Sequence, residues 1–263
     1  MSSIAREATI RLDPTHTPRI LSKFLAELRL LCREIVDVQT RHWEAFDALS
    51  THIQHDYEGR FAVELIQNAE DANAEEGAVQ FLFDTQADLP TVYVANTGIP
   101  FTDSNFRAIC NLALSDKDPS KNIGNKGLGF RSVLEITSTP TVYSQSRDSA
   151  DSLGYCFEFT TRTRAIVRAV LDEFAQSDSV HSDYLSAIFS TSVELLGEDD
   201  PHPDRLRRAI RSQPELLDEI QRKLYPYMFP LPAPRPDEHV QEFLEAGYAS
   251  VIVLPLDRPR SFE

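Results

Sequence analysis

The stretch "ELIQNAEDANAEEG", Glu64 to Gly77, decides how the rest of this 263-residue chain is interpreted. In a helix, residues four and then three positions apart share one face, so Glu64, Asn68 and Asp71 line up along it. An adjacent apolar stripe is predicted to face a sheet and consists of Phe61, Leu65, Ala69 and Ala72. A helix with one face in water has the same pattern. The sequence on either side must therefore decide between an active-site wall and a solvated face.

Two strands and a short helix are predicted after this stretch. "AVQFLFD" (78–84) and "TVYVAN" (91–96) are rich in β-branched and aromatic residues and are separated by a turn-forming segment. The second strand ends in Asn-Thr-Gly, which predicts a tight turn at Gly98. Either Thr102 or Asp103 is then predicted to cap a short helix.

A glycine cluster follows further along the chain. "GNKGLGF" (124–130) has the spacing G-x-x-G-x-G and precedes a predicted helix that begins at Phe130. Glycines let backbone N–H groups approach a phosphate, and a helix N-terminus adds partial positive charge. The cluster is not a Walker loop, because the Gly-Lys-Ser/Thr ending is missing. It is not the dinucleotide fingerprint either, because a polar loop precedes it. Taken alone, a phosphate cradle and a flexible turn are equally good interpretations.

Composition excludes several classes of function. A net charge of −15 argues against binding of a nucleic acid or an anionic membrane by this chain alone. There is no run of 18 apolar residues, so no membrane span is expected, and the N-terminus lacks the apolar region of a signal peptide. The cysteines Cys32, Cys110 and Cys156 are scattered and have no metal-ligand spacing with histidine. They predict reduced thiols in a cytosolic or nuclear protein.

The chain divides into three predicted parts. Residues 1–17 predict a flexible arm, and residues 18–50 an N-terminal helical segment. Residues 51–263 predict one α/β domain, with a helical insertion at about 164–246 before a last strand. Because the chain ends shortly after that strand, we expect it to be the N-terminal module of a longer protein.

Taken in order, the motifs resemble those of the GHKL ATPase superfamily of gyrase, heat-shock chaperone, histidine kinase and mismatch-repair ATPase. The resemblance is strongest to its sacsin-like or NO VEIN-like branch. "ELIQNAEDA" resembles the N-box, "NTGIPFTDSNFRAIC" the first glycine box and "IGNKGLGFRSV" the second. The match covers about residues 55–135, and "GYASVIVLPL" (247–256) is a weaker match to the strand that closes the nucleotide pocket. The resemblance implies a two-layer α/β sandwich, in which helices cover one face of a mixed sheet.

The resemblance also implies roles for single residues. Glu64 would be the general base that activates water, Asn68 would bind Mg²⁺ through its side-chain oxygen, and Asp71 would shape the pocket. Residues 113–123 would be a mobile lid, and Arg131 would either reach a phosphate or form a surface salt bridge. The remaining nucleotide-binding residues would be Asn96, Gly98, Gly124, Lys126, Gly127, Gly129, Phe130 and Ser250. The implied function is ATP binding with slow Mg²⁺-dependent hydrolysis, which drives a chaperone-like clamp between two copies.

Two departures from the superfamily pattern keep other functions open. Asn96 stands where the superfamily has an aspartate that accepts a hydrogen bond from the adenine amino group, and Pro100 replaces a glycine. An asparagine oxygen still accepts, but without the assistance of charge, so adenine would be held less tightly or another base preferred. The main alternative is a nucleotide sensor that does not hydrolyse. A histidine kinase would need an acceptor histidine, and His42, His52 and His55 have no convincing context for that role.

Overall fold

The structure is a computed structural model that describes residues 18–36, 59–72, 77–110, 129–147, 153–176, 203–213 and 215–257. The flexible arm predicted at 1–17, the lid predicted at 113–123 and residues 177–202 of the predicted helical insertion lie outside these residues. The described strands are β1 (Val79–Asp84), β2 (Thr91–Asn96), β3 (Thr141–Ser144), β4 (Phe157–Glu158), β5 (Leu231–Pro232) and β6 (Ser250–Pro255).

These six strands form one sheet in the order β1-β2-β6-β3-β4-β5, and every described pair is antiparallel. The two-layer α/β architecture predicted from the sequence is confirmed, but its sheet is antiparallel where a mixed sheet was expected. The reason is the path of the chain: β1 and β2 form a hairpin, β3 and β4 pair in the same way, and β6 enters between β2 and β3 running against both.

The described helices are α1 (Pro18–Val36), α2 (Phe61–Ala72), α3 (Asp103–Cys110), α4 (Thr163–Gln176), α5 (Pro203–Ser212), α6 (Leu216–Lys223) and α7 (Glu238–Glu245). The helix predicted after the glycine cluster is a 3-10 helix, Gly129–Glu135, and a second one spans Pro226–Met228. Within the predicted helical insertion, α5 and α6 are two separate helices. Pro214 stands at the break, and proline disrupts a helix interior.

Both faces of the sheet are covered. On the front face, α2, α3 and the first 3-10 helix pack on β2, β3 and β6. On the back face, Val240 and Phe243 of α7 pack on Tyr93, Tyr143 and Val251. The helical layer predicted for one face is therefore present on the front face, and α7 is a single short helix on the back face that the sequence did not predict. Alternation explains the arrangement, because successive side chains of a buried strand point to opposite faces, and all six residues of β2 are buried.

A third core, here called the helical cluster, is formed by α1, α4, α5, α6 and the β5 residue Leu231. Its fully buried side chains include Phe24, Leu171, Leu206 and Ile220. The first turn of α1 reaches the front core instead, through Ile20. None of the helices in the described residues combines the length and the apolar character needed to cross a membrane.

Candidate functional site

A cavity of about 240 Å³ opens on the front face, between α2, α3 and the adjoining ends of β2 and β6. This volume is slightly below the range of roughly 300–1,000 Å³ that is usual for ligand pockets. Five of the residues assigned from the sequence line it, and they come from four separate segments of the chain: Asn68, Asp71, Asn96, Phe130 and Ser250.

The other assigned residues lie elsewhere. Glu64 is half-buried on α2, one turn before Asn68, and does not line the cavity. Gly98 lies in the turn after β2 and also does not line it, while Gly129 begins the first 3-10 helix. Gly124, Lys126 and Gly127 fall outside the described residues.

The start of α2 is held by the end of the 3-10 helix that follows the glycine cluster. Both carboxylate oxygens of Glu135 accept a hydrogen bond from the Gly59 N–H, at 3.1 Å each. Gly59 has a φ of 74°, a conformation that favours glycine. Together with the buried Leu65 and Ala69, this contact fixes α2 relative to the first 3-10 helix.

The end of α2 is held by the turn after β2. The Ile99 N–H donates to the Ala72 carbonyl at 2.7 Å, which satisfies a carbonyl group at the helix C-terminus. The Ala78 N–H donates to Thr97 Oγ1 at 2.8 Å, and the Thr97 N–H donates to the Ala78 carbonyl at 3.1 Å. The Asn-Thr-Gly turn is thus a structural junction between α2, β1 and β2, which places Asn68, Asp71 and Asn96 around one cavity.

Asn96 and Ser250 are directly opposite each other in the β2–β6 pair. Both are buried, at 7% and 2% exposure, and the Ser250 hydroxyl donates to Asn96 Oδ1 at 2.5 Å. The amide nitrogen of Asn96 is also buried, and no residue in the described part of the chain accepts a hydrogen bond from it. Leaving a buried donor unsatisfied typically costs about 1–3 kcal/mol. A group of this kind in a cavity wall can donate a hydrogen bond to a ligand or to a water molecule.

The structure adds residues to the cavity wall that were not assigned to the site from the sequence. Thr102 and Asn105 line it and cap α3, since the Asn105 N–H donates to Thr102 Oγ1 at 3.1 Å and the Thr102 N–H to Asn105 Oδ1 at 3.0 Å. Of the two predicted capping residues, Thr102 is therefore the correct one. Arg147 also lines the cavity with an exposed side chain. It follows β3 outside any motif, so no sequence signal could have identified it.

Arg131 has neither of the two roles considered for it. It is 3% exposed, so a surface salt bridge is excluded. Its Nη1 donates to the Tyr225 hydroxyl at 2.7 Å, and its Nη2 donates to the Ile109 carbonyl at 3.0 Å. The guanidinium carbon lies 5.3 Å from the centre of the Tyr225 ring. Arg131 therefore ties the 3-10 helix to α3 and to the segment after α6, and its terminal nitrogens already have partners.

The site contains no dedicated metal centre in the part of the chain that the structure describes, since no three His, Cys, Asp or Glu side chains cluster there. This is compatible with Mg²⁺, which binds through one or two protein oxygens together with substrate phosphates and water. Nucleophilic chemistry by the thiolate of Cys110 or Cys156 is disfavoured. Cys110 and Cys156 are free, and burial raises the pKa of Cys110 to about 12 and that of Cys156 to about 11.

Known proteins resemble this chain over the same region. The sequence profile of the Sacsin domain matches residues 47–194, more than half of the chain. Human sacsin is 41% identical over 102 residues, which cover 33% of this chain and 2% of sacsin. Protein NO VEIN of Arabidopsis thaliana is 31% identical over 117 residues, which cover 42% of this chain and 4% of that protein. The chain thus corresponds to a small part of each of these relatives.

Proposed function

The chain belongs to the Sacsin domain family, and from that premise we propose that its front cavity binds ATP or a related purine nucleotide with Mg²⁺ and hydrolyses it slowly. One observation carries the proposal. Asn68, Asn96 and Ser250 come from three motifs that resemble the GHKL nucleotide pocket, and all three line a single cavity although up to 182 positions separate them.

The residues around the cavity fit a nucleotide with its metal. Asn68 has an exposed side chain on the cavity wall, and its hard amide oxygen suits Mg²⁺. When bound, the ion would neutralise charge on the phosphates. Asn96 and Ser250 form the buried end of the site and offer polar groups to a base. The backbone N–H groups of Gly124, Gly127 and Gly129, with Lys126 nearby, are proposed to hold the phosphates, as the resemblance implies.

Glu64 supplies the chemistry of the proposed hydrolysis. Glu64 lies one helical turn before Asn68, about 6 Å along the helix axis, and Asp71 follows Asn68 along the same axis. The carboxylate accepts a proton from a water molecule as the water oxygen bonds to the γ-phosphorus and the bond from phosphorus to the leaving diphosphate oxygen breaks. General-base catalysis of this kind contributes roughly 10²–10⁴-fold in rate.

A two-part measurement tests the proposal. Isothermal titration of the chain with Mg·ATP is expected to give a dissociation constant between about 1 μM and 1 mM, the usual range for enzyme substrates. A phosphate-release assay is expected to show slow turnover. Asn68→Ala should weaken both, whereas Gln67→Ala, an exposed neighbour outside the cavity lining, should change neither. Absence of heat and of thermal stabilisation with every purine nucleotide would overturn the proposal.

A second candidate is a nucleotide sensor that binds without hydrolysis. The position of Glu64 outside the cavity lining favours it, as do Asn96 and Pro100 in place of the superfamily residues. Saturable nucleotide binding without release of phosphate would establish this alternative.

The proposal extends to assembly. Hydrolysis in the superfamily opens and closes a dimeric clamp, so two copies of this chain are proposed to associate when a triphosphate is bound. Sedimentation with a non-hydrolysable analogue, compared with Mg·ADP, tests this step. An unchanged molecular mass in both states would contradict the clamp but not nucleotide binding.

A further inference from the structure

The side-chain amide nitrogen of Asn96 is buried without an acceptor among the described residues, and this indicates which base the cavity would bind. The amide oxygen of Asn96 accepts a hydrogen bond from the Ser250 hydroxyl of the neighbouring strand β6. The oxygen is thus held by the neighbouring strand, whereas the amide nitrogen has no acceptor among the described residues, and an amide nitrogen only donates.

We propose that Asn96 selects purine nucleotides carrying a carbonyl at position 6, such as those of guanine and hypoxanthine, over adenine nucleotides. The inference rests on the proposed nucleotide binding at this cavity. Asn96 is a buried polar residue of the cavity wall, and its amide nitrogen offers a donor to a base. A 6-carbonyl accepts a hydrogen bond from that donor. The 6-amino group of adenine donates, so it would place two donors against each other.

Two other residues of the cavity wall agree with this choice. Arg147 also lines the cavity, and a guanidinium has donors only. Arginine is the side chain that most often reads the carbonyl and ring nitrogen of guanine. Asp71 is the only carboxylate among the described residues that line the cavity, and it is exposed. A carboxylate accepts from the N1–H next to a 6-carbonyl, whereas adenine has no hydrogen on that nitrogen.

Calorimetric titration of the whole chain with Mg·ITP, Mg·GTP and Mg·ATP tests the inference. ITP and GTP are expected to bind about 10-fold more tightly than ATP, the size of effect that one mismatched buried hydrogen bond produces. Asn96→Asp replaces the donor with a second acceptor, and its preference should reverse in favour of ATP. Gln67→Glu makes the same amide-to-acid change outside the cavity and should keep the parent ratio.

A second variant protects the test against a misfolded Asn96→Asp. Ser250→Ala removes the group that holds the amide oxygen, so the amide can turn either edge to the base, and the ratio of the ITP and ATP affinities should fall towards one. A parent chain that binds ATP as tightly as ITP and GTP would overturn the inference and leave the proposed function standing. Failure of all three nucleotides to bind would overturn both.

Discussion

Helices α2 and α4 are of similar length, 12 and 14 residues, yet they use their side chains differently. In α4, seven residues are buried, and the helix belongs to the closed helical cluster. In α2, only Leu65 and Ala69 are buried. Its ends are instead held by hydrogen bonds from Gly59 to Glu135 and from Ile99 to Ala72.

This difference indicates that α4 mainly stabilises the fold, whereas α2 mainly presents polar side chains to a ligand. A helix that gains its stability from a buried stripe has few side chains left for a ligand, since most helical stability comes from packing of the apolar face. A helix fixed at its two ends can leave polar residues along a cavity, as α2 does with Asn68 and Asp71. Substitutions of the polar residues of α2 should therefore change activity with little effect on folding, and substitutions of the buried residues of α4 should do the reverse.

The largest expected effect is that of Glu64→Ala. If α2 supplies the general base, removal of this carboxylate should lower the rate of phosphate release by roughly 10²–10⁴-fold, the usual contribution of a general base. Nucleotide affinity should stay near the parent value, because Asn68 and the cavity lining are unchanged. Single-turnover phosphate release and calorimetry measure the two quantities.

Glu70→Ala is the matched control for this variant, because Glu70 is an exposed acid on the same helix that does not line the cavity. Its turnover should equal that of the parent. Hydrolysis by Glu64→Ala at the parent rate, or complete loss of its nucleotide binding, would show that Glu64 is not the base and would favour the sensor.

The converse substitution is Leu171→Ala in α4. Leu171 is 1% exposed within the helical cluster, and truncation of a buried leucine typically costs about 2–5 kcal/mol of unfolding free energy. Urea denaturation followed by circular dichroism should show this loss, while the folded fraction keeps its nucleotide affinity. Asp172→Ala, at the exposed neighbouring position, should stay within about 0.5 kcal/mol. A weakened nucleotide affinity with unchanged stability would contradict the separation of roles.

The sequence predicted the parts of the molecule that depend on local pattern. The strands around Val92 and Val251, the apolar stripe of α2 with Leu65 and Ala69, and the cap at Thr102 all follow from periodicity or short-range chemistry. The order of the motifs predicts that Asn68 and Asn96 lie at one site, and both line the cavity.

Contacts between distant segments could not be predicted in this way. Ser250 donates to Asn96 across 154 positions, and Arg131 reaches Tyr225 across 94, so neither follows from local spacing. The same holds for the back-face helix α7, which is anchored through Asp237, whose carboxylate accepts from the Tyr93 hydroxyl at 3.0 Å. The antiparallel sheet likewise depends on where β6 enters it, and this is a property of the whole chain.

The pH dependence of stability is a smaller test of how well water is excluded from the two faces of the sheet, because Cys110 is buried on the front face and Cys156 on the back face. Burial raises the pKa of Cys110 and of Cys156 above the ordinary value in the folded state. The unfolded chain then loses these protons first, so stability is independent of the thiols below about pH 8.5 and falls as the pH rises towards 11. The slope approaches about 1.4 kcal/mol per pH unit for each thiol.

Urea unfolding at several pH values between 8 and 11 measures this slope, and Cys110→Ala and Cys156→Ala, singly and combined, should reduce it. Disulfide reagents at pH 8 should leave both thiols of the folded chain unmodified and react with them in urea. Rapid reaction of Cys110 alone in the folded chain would show that the front face opens beside the cavity, which would contradict the conclusion that hydrogen bonds at both ends hold α2 in place.

The smallest expected effect concerns Thr102, which belongs to the cavity wall and to the fold at once. Its hydroxyl accepts from the Asn105 N–H at the start of α3, and removal of such a cap typically costs about 1 kcal/mol. Thr102→Ala should therefore lower the unfolding free energy by about that amount, whereas Thr102→Ser keeps the hydroxyl and should retain most of it. Denaturation curves of the two variants measure the difference. Equal loss in both would mean that the threonine methyl group, and not the cap, supports α3.

Because the cap lies between the helix and the cavity, Thr102 is also the position where the separation of stability from binding should be weakest. Thr102→Ala should therefore lower both the unfolding free energy and the nucleotide affinity.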